Sequence, residues 1–221
     1  MRRIFLFLFT LAAAGCISAA PLSEDSLNVS KPDVAKIVKI SEDSVFVAVI
    51  STKLGDIEIE LYTKDAPKTT ANFIELSRRG YYNGIIFHRV AKGFVIQGGD
   101  PTGIGSGGTS IYGGDFEDEL DPKTYSYQDG YVRGAVAMAN SGPNTNTSQF
   151  FVALNDLLQL PKNYTIFGRV ISGMDTVDKI AEGEILPGMN PGDGKPVNPV
   201  VMDKVIIEKR ARNINSIFDI K

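Results

Sequence analysis

The sequence predicts a mainly β domain, a barrel or sandwich with helices covering its ends. Eight short segments rich in β-branched and aromatic residues carry this reading, and only two stretches look helical. Between the segments lie tight clusters drawn from 22 glycines, as a fold of many turns requires.

Each element has a local reason. Val45-Phe46-Val47-Ala48-Val49-Ile50 is an unbroken run suited to a strand, and Lys53-Leu54-Gly55 turns the chain into Asp56-Ile57-Glu58-Ile59-Glu60-Leu61. The second run alternates strictly, so Ile57, Ile59 and Leu61 share one face and the acids the other, giving a hairpin with one wet face. Asp65-Ala66-Pro67 opens a helix, with Asp65 as expected N-cap and Pro67 in the first turn, where a missing N–H does no harm. Gly80 is the expected residue just past its end. Short strands are expected at 85–90, 94–97, 135–139, 149–153 and 164–170, a second helix at 173–181 and a last strand at 200–208.

The ends of the chain differ from this body. Residues 1–20 have the layout of a secretory signal: Met1-Arg2-Arg3, an apolar run too short to span a bilayer comfortably, then small residues. Cys16, the one cysteine, lies inside it, and Ala13-Ala14-Gly15-Cys16 resembles the box at which bacterial lipoproteins are cut and lipidated. Cleavage after Ala19 or Ala20 by an ordinary signal peptidase is the alternative. Either route exports the protein, to the periplasm or cell envelope as a lipid-anchored form or otherwise as a secreted one. Residues 21–43 read as a polar tether of about 25–30 Å typical span, with an apolar patch at 34–40 that adds a strand or short helix. The working domain is expected at 44–209, followed by a polar tail at 210–221.

Composition excludes several classes. A hydrophobic share of 43% and a charged share of 22% suit a soluble globule with a real core. A net charge of −3, with no Lys/Arg run in the body, argues against a nucleic-acid partner. Without cysteine the body has no disulfide framework, metal thiolate or thiol nucleophile, and one histidine leaves no usual metal set.

Two stretches carry the chemistry: Phe87-His88-Arg89-Val90-Ala91-Lys92-Gly93-Phe94-Val95-Ile96-Gln97-Gly98-Gly99-Asp100, and Met138-Ala139-Asn140-Ser141-Gly142-Pro143-Asn144-Thr145-Asn146-Thr147-Ser148-Gln149-Phe150-Phe151. They resemble the two signature stretches of the cyclophilin family of prolyl isomerases, and the likeness continues through Tyr164-Thr165-Ile166-Phe167-Gly168-Arg169-Val170. It covers about residues 45–209. The resemblance implies a closed eight-stranded antiparallel β-barrel capped by two α-helices, no cofactor, and proline-containing polypeptides as partners. At matching positions it implies Arg89 as the catalytic cation and Gln97 as the residue that orients it. Phe94, Val95, Phe151 and Leu160 would line the proline pocket, with Tyr164 closing its edge. The backbone of Asn140 would pair with the substrate chain, flanked by Ala139 and Gln149.

The chemistry suits those residue types. Resonance sets a barrier of about 18–20 kcal/mol to rotation about a peptide bond. A catalyst of X–Pro rotation needs neither nucleophile nor metal. It must favour the pyramidal prolyl nitrogen of the twisted state, and a fixed cationic donor beside that nitrogen binds the twisted state more tightly than the planar one. Arg89 is always charged and rigidly forked. One charge-assisted hydrogen bond is worth roughly 1.5–3 kcal/mol, whereas a 10⁵-fold acceleration needs about 7 kcal/mol. The rest must come from a dry wall for the ring and from holding the peptide on either side. A non-catalytic binder of proline peptides is the competing function.

Three positions depart from the family's common pattern. Gln159 stands where many members have Trp, Tyr164 where His is frequent and Val95 where Met is frequent. The apolar pocket survives these changes. The Trp position is associated with tight cyclosporin binding, so weak binding of that drug is expected here.

Other signals are set aside. Gly103-Ile104-Gly105-Ser106-Gly107-Gly108 matches a dinucleotide fingerprint, but Thr109-Ser110-Ile111-Tyr112-Gly113-Gly114 beyond it cannot open a helix, and the stretch reads as a surface loop. His88 should face away from Arg89 as a satisfied structural imidazole, and Asp115-Phe116-Glu117-Asp118-Glu119 reads as a solvated turn.

Overall fold

The computed structural model describes residues 32–38, 44–186, 188 and 190–211. The expected signal with Cys16, most of the tether and the tail after Ala211 lie outside the described residues.

The mainly β, antiparallel reading holds. The described strands are β1 (Ser44–Thr52), β2 (Gly55–Leu61), β3 (Arg89–Ala91), β4 (Val95–Gly98), β5 (Ala135–Met138), β6 (Phe150–Ala153), β7 (Ile166–Ser172), β8 (Asp193–Gly194) and β9 (Lys204–Ala211). They form one sheet in the order β8-β3-β4-β6-β5-β7-β2-β1-β9. Closure into a barrel of eight strands is not shown: among the described residues the ladder has nine strands. Of the strand expected at 85–90, only 89–91 pairs along β4. The preceding residues instead meet the segment before β9, through Gly84 N–H to Met202 O at 2.8 Å, Met202 N–H to Ile85 O at 2.8 Å and Phe87 N–H to Val200 O at 2.9 Å. β8, only two residues long, is too short to leave a periodic signal.

Four helical segments are described rather than two: α1 (Val34–Ile37), α2 (Pro67–Arg78), α3 (Tyr125–Asp129) and α4 (Met174–Glu182). The apolar patch of the tether forms α1, and Val34, Ile37 and Val38 pack on the main core. The expected cap of α2 is displaced. Asp65 instead accepts the N–H of Ser126 in α3 at 2.8 Å, while Glu119 accepts the N–H groups of Lys68 and Thr69 at 2.9 and 2.8 Å. A carboxylate at a helix N-terminus satisfies donors that the helix leaves free, wherever in the chain it comes from. Gly80 ends α2 as expected, at φ 71°, and Tyr81 N–H returns to Leu76 O at 3.0 Å.

The acidic stretch is correspondingly less solvated than expected. Besides Glu119 on α2, Asp118 accepts from the Asn146 side chain at 2.7 Å and from Asn144 N–H at 2.8 Å, which pins the loop of the second signature. Asn72 of α2 holds that loop from below, donating to Thr147 O at 2.7 Å.

The hairpin's wet face is also drier than its alternation implies. β2 behaves as read, with Ile57, Ile59 and Leu61 buried, but β1 is buried on both faces. Its outward row Val45, Val47 and Val49 lies under an ion pair. Arg210 on β9 registers with Val45, Glu58 on β2 registers with Val49, and the guanidinium reaches that carboxylate at 2.7 and 3.1 Å across β1. β9 thus runs into the stretch expected to be tail. Inside, Phe73, Tyr82, Phe87, Phe150 and Phe167 form the aromatic heart of the core.

Candidate active site

Alternation along the strands sorts adjacent signature residues onto opposite faces. His88, Val90, Ile96, Phe150 and Val152 are all buried, and the last four belong to the main core. Their neighbours Arg89, Ala91, Val95, Gln97, Phe151 and Ala153 line the other face. Register makes this a cross-strand row: Arg89 opposes Gln97, Gln97 opposes Phe151, and Phe151 opposes Ala137.

Polar groups occupy one end of the row. Gln97 Oε1 accepts from Arg89 Nη1 at 3.0 Å, and Gln97 Nε2 donates to Gln149 Oε1 at 2.9 Å. Gln149 donates onward to the carbonyls of Gly105 and Gly107 at 3.1 and 2.7 Å. On its other side Arg89 makes a two-pronged pair with Asp193, Nε to Oδ1 at 2.9 Å and Nη2 to Oδ2 at 2.6 Å. The guanidinium is fixed from both flanks, and three of its five N–H groups are engaged.

Apolar groups occupy the other end. Ala91, Ala135, Ala137 and Ala153 form a shallow floor, because a methyl group is all that each places on this face. Val95 and Phe151 stand buried on it, and Phe94, Ala139, Leu160 and Tyr164 pack partly exposed around it. Phe151 and Tyr164 meet edge to face at 5.7 Å. Tyr131 props that wall: its hydroxyl donates to Tyr164 O at 3.0 Å and accepts Tyr164 N–H at 3.0 Å.

The structure therefore brings Arg89, Gln97, Phe94, Val95, Gln149, Phe151, Leu160, Tyr164 and Ala139 to one face. Asn140 lies at its border, where its side chain donates to Asn163 O at 2.9 Å. Gln159, at the Trp position, is exposed between Leu158 and Leu160.

Comparison with known proteins gives the family. A family model described as "Cyclophilin type peptidyl-prolyl cis-trans isomerase/CLD" matches residues 47–207. The chain belongs to the cyclophilin-type peptidyl-prolyl cis-trans isomerases. It is 47% identical over 158 residues to peptidyl-prolyl cis-trans isomerase-like 3 of Gallus gallus, covering 72% of this chain and 93% of that relative. Peptidyl-prolyl cis-trans isomerase ppi1 of Schizosaccharomyces pombe is 53% identical over 131 residues, 59% of this chain and 82% of that protein. A crystal structure of a Cryptosporidium parvum cyclophilin-type isomerase, obtained in the presence of the dipeptide Ala-Pro, superposes with a TM-score of 0.66 at 40% identity, covering 73% of this chain and 98% of that one.

Three features of this cyclophilin escaped sequence reasoning. Asp193 sits in a Gly/Pro-rich turn that looks like any loop. Tyr131 has no motif around it. The alanine floor is visible only once register places its members together, since a lone Ala in a strand carries no pattern.

The glycine cluster at 103–108 acquires a structural reason. It wraps Asp100, which is buried and accepts Thr102 N–H and hydroxyl at 2.7 Å each and Gly105 N–H at 2.6 Å. A Cβ on Gly107 would meet that carboxylate at 2.3 Å, so the wrap needs glycine there. Burial pushes the Asp100 carboxyl up, but the hydrogen bonds from Thr102, Gly107 and Gly105 together outweigh it and hold it at about 2. A depressed folded-state value means stability that is complete above the ordinary carboxylate range and lost as pH falls through about 2. The contribution at neutral pH is roughly 2 kcal/mol. Urea unfolding from about pH 7 down to about pH 2 should show this loss, and Asp100→Asn should remove that part of the slope. An identical slope in the variant would contradict the assignment.

His88 is buried on the core side, as alternation requires, but it is not the satisfied imidazole expected. Neither ring nitrogen has a hydrogen-bond partner among the described residues. Burial lowers its pKa against the pull of the Asp100 charge, which favours the neutral ring.

Proposed function

We propose that Arg89 is the catalytic residue and that it acts on X–Pro bonds of exported polypeptides, assisting their folding. The observation that carries the first part is the cation's setting. A guanidinium held on two flanks, with two N–H groups left over, stands at the polar end of an apolar, alanine-floored face. With the ring against Phe151 and its neighbours, the free N–H groups face the prolyl nitrogen. They bind it more strongly as it pyramidalises, which is the differential binding that accelerates rotation. Gln97, anchored by Gln149, sets the direction of the fork, and Phe94, Val95, Leu160 and Tyr164 exclude water. Ala139, Asn140 and Gln149 border the path of the substrate backbone. Proline-containing chains as partners are supported by the Ala-Pro dipeptide present with the Cryptosporidium parvum relative.

A protease-coupled assay on an X–Pro peptide tests the function. Turnover well above the uncatalysed rate is expected from the folded protein, and background-level rates would leave a peptide binder. The export reading rests on the layout of residues 1–20, which suits either lipidation at Cys16 or ordinary cleavage after Ala19 or Ala20. Intact mass of the mature N-terminus decides between them: an acylated Cys16 means a lipid anchor, and a start at Ala20 or Pro21 means free secretion.

A further inference from the structure

We propose that Asp193 is a positioning residue for the reaction, fixing the guanidinium of Arg89 so that only its outer edge can reach a substrate. The proposal rests on the reading of Arg89 given above and adds a member that no signature stretch contains.

Three observations carry it. Asp193 takes the side of the guanidinium, Nε and Nη2, with both carboxylate oxygens, while Gln97 takes Nη1 from the opposite flank. The two N–H groups that remain, one on Nη1 and one on Nη2, are fixed in direction because the guanidinium is planar. Second, the carboxylate is itself held. Asp193 lies on β8 opposite Ala91, a diagonal neighbour of Arg89, with Lys92 N–H donating to Gly192 O at 2.7 Å and Asp193 N–H to Asn190 O at 3.2 Å. Third, this carboxylate is 21% exposed, a little below Glu75 at 26% and Glu58 at 28% and far below Asp175 at 74%. An ion pair that water still reaches contributes little to stability, so the consequence of this one lies in direction. The adjacent guanidinium keeps the Asp193 carboxyl below its ordinary range, so the pair stays ionised through neutral pH.

The arrangement makes Arg89 dependent on both sides of its strand. Gln97 alone leaves the side chain free to swing about one hydrogen bond. Displacement of a reacting donor by about 1 Å costs up to about 10²-fold in rate without removing any contact to the bound ground state. The loss should therefore fall on kcat.

Asp193→Asn tests this, since it keeps size and one acceptor but sets an amide N–H₂ against Nη2. It should lower kcat about tenfold, with KM within about twofold. In NMR spectra the Arg89 Nε–H resonance, slow to exchange with solvent in the wild type, should become fast in Asp193→Ala, which leaves Nε–H without its acceptor. Its kcat should fall alike, and circular dichroism checks that both variants fold. An unchanged kcat overturns the proposal, as does an unchanged Arg89 resonance. A wild-type protein without turnover would instead sink the isomerase reading, and the Nε–H exchange would still decide whether Asp193 holds the fork.

Discussion

Arg89→Ala is expected to lower kcat/KM about 10²- to 10³-fold, the loss seen when one preorganised donor to a transition-state charge is removed. The geometry argues for a value in that range. The guanidinium is charged, pre-aimed by Asp193 and Gln97, and set beside an apolar face that strengthens its interaction with the prolyl nitrogen. Complete loss is not expected, because the alanine floor and its Phe151 and Tyr164 wall still bind and orient the ring. Nor should the fold suffer much. Asp193 remains partly exposed to water and Gln97 keeps its bond to Gln149, so no deeply buried charge is stranded. Arg89→Lys should fare little better than Ala, since an ammonium cannot take the side-on pair and the Gln97 bond at once. Steady-state kinetics on an X–Pro peptide checks this, and a loss smaller than about threefold would contradict it.

Phe150→Ala should bring the largest loss of stability, about 3–5 kcal/mol, for a fully buried ring replaced by a methyl group. Phe150 packs edge to face on Phe73, Tyr82 and Phe87 at 5.5, 5.9 and 6.3 Å, and every one of those rings is itself buried. Removal leaves a cavity that Phe73, Tyr82 and Phe87 cannot fill without moving. At about 2–4 °C per kcal/mol for a domain of this size, Tm should fall by about 6–20 °C. Its neighbour Phe151 points to the other face. Phe151→Ala should therefore raise KM more than it lowers Tm, and calorimetry with kinetics on the pair separates core from groove. Equal effects of the two substitutions on KM would show that the face assignment is wrong.

The parts that could be read in advance were those written in periodicity or in long motifs. The strict alternation of 56–61 gave β2 its faces, and the apolar spacing with Pro67 and Gly80 gave α2 its ends. The two signature stretches gave Arg89, Gln97, Phe94 and Phe151, which register then placed on one face. What escaped depends on contacts between distant segments. Glu119 caps a helix 50 residues earlier, Arg210 reaches across β1 to Glu58, and Asp193 holds Arg89 from 104 residues away. Such partners leave no local pattern, because a carboxylate in a turn looks the same whether it is solvated or clamped on a guanidinium. The pairing of residues 84–87 escaped for a related reason: they look like one strand with 89–90, yet their partner is the short segment at 200–202 and not β4.

The central claim is that Arg89 acts on the twisted state and not on the bound ground state. Exchange NMR on an X–Pro peptide reports both at once, giving the isomerisation rate on the protein and the Kd from the same titration. Between wild type and Arg89→Ala, the on-protein rate should fall at least about 10²-fold while Kd changes less than about threefold. An unchanged rate, or a loss of turnover accounted for by weaker binding, would contradict it.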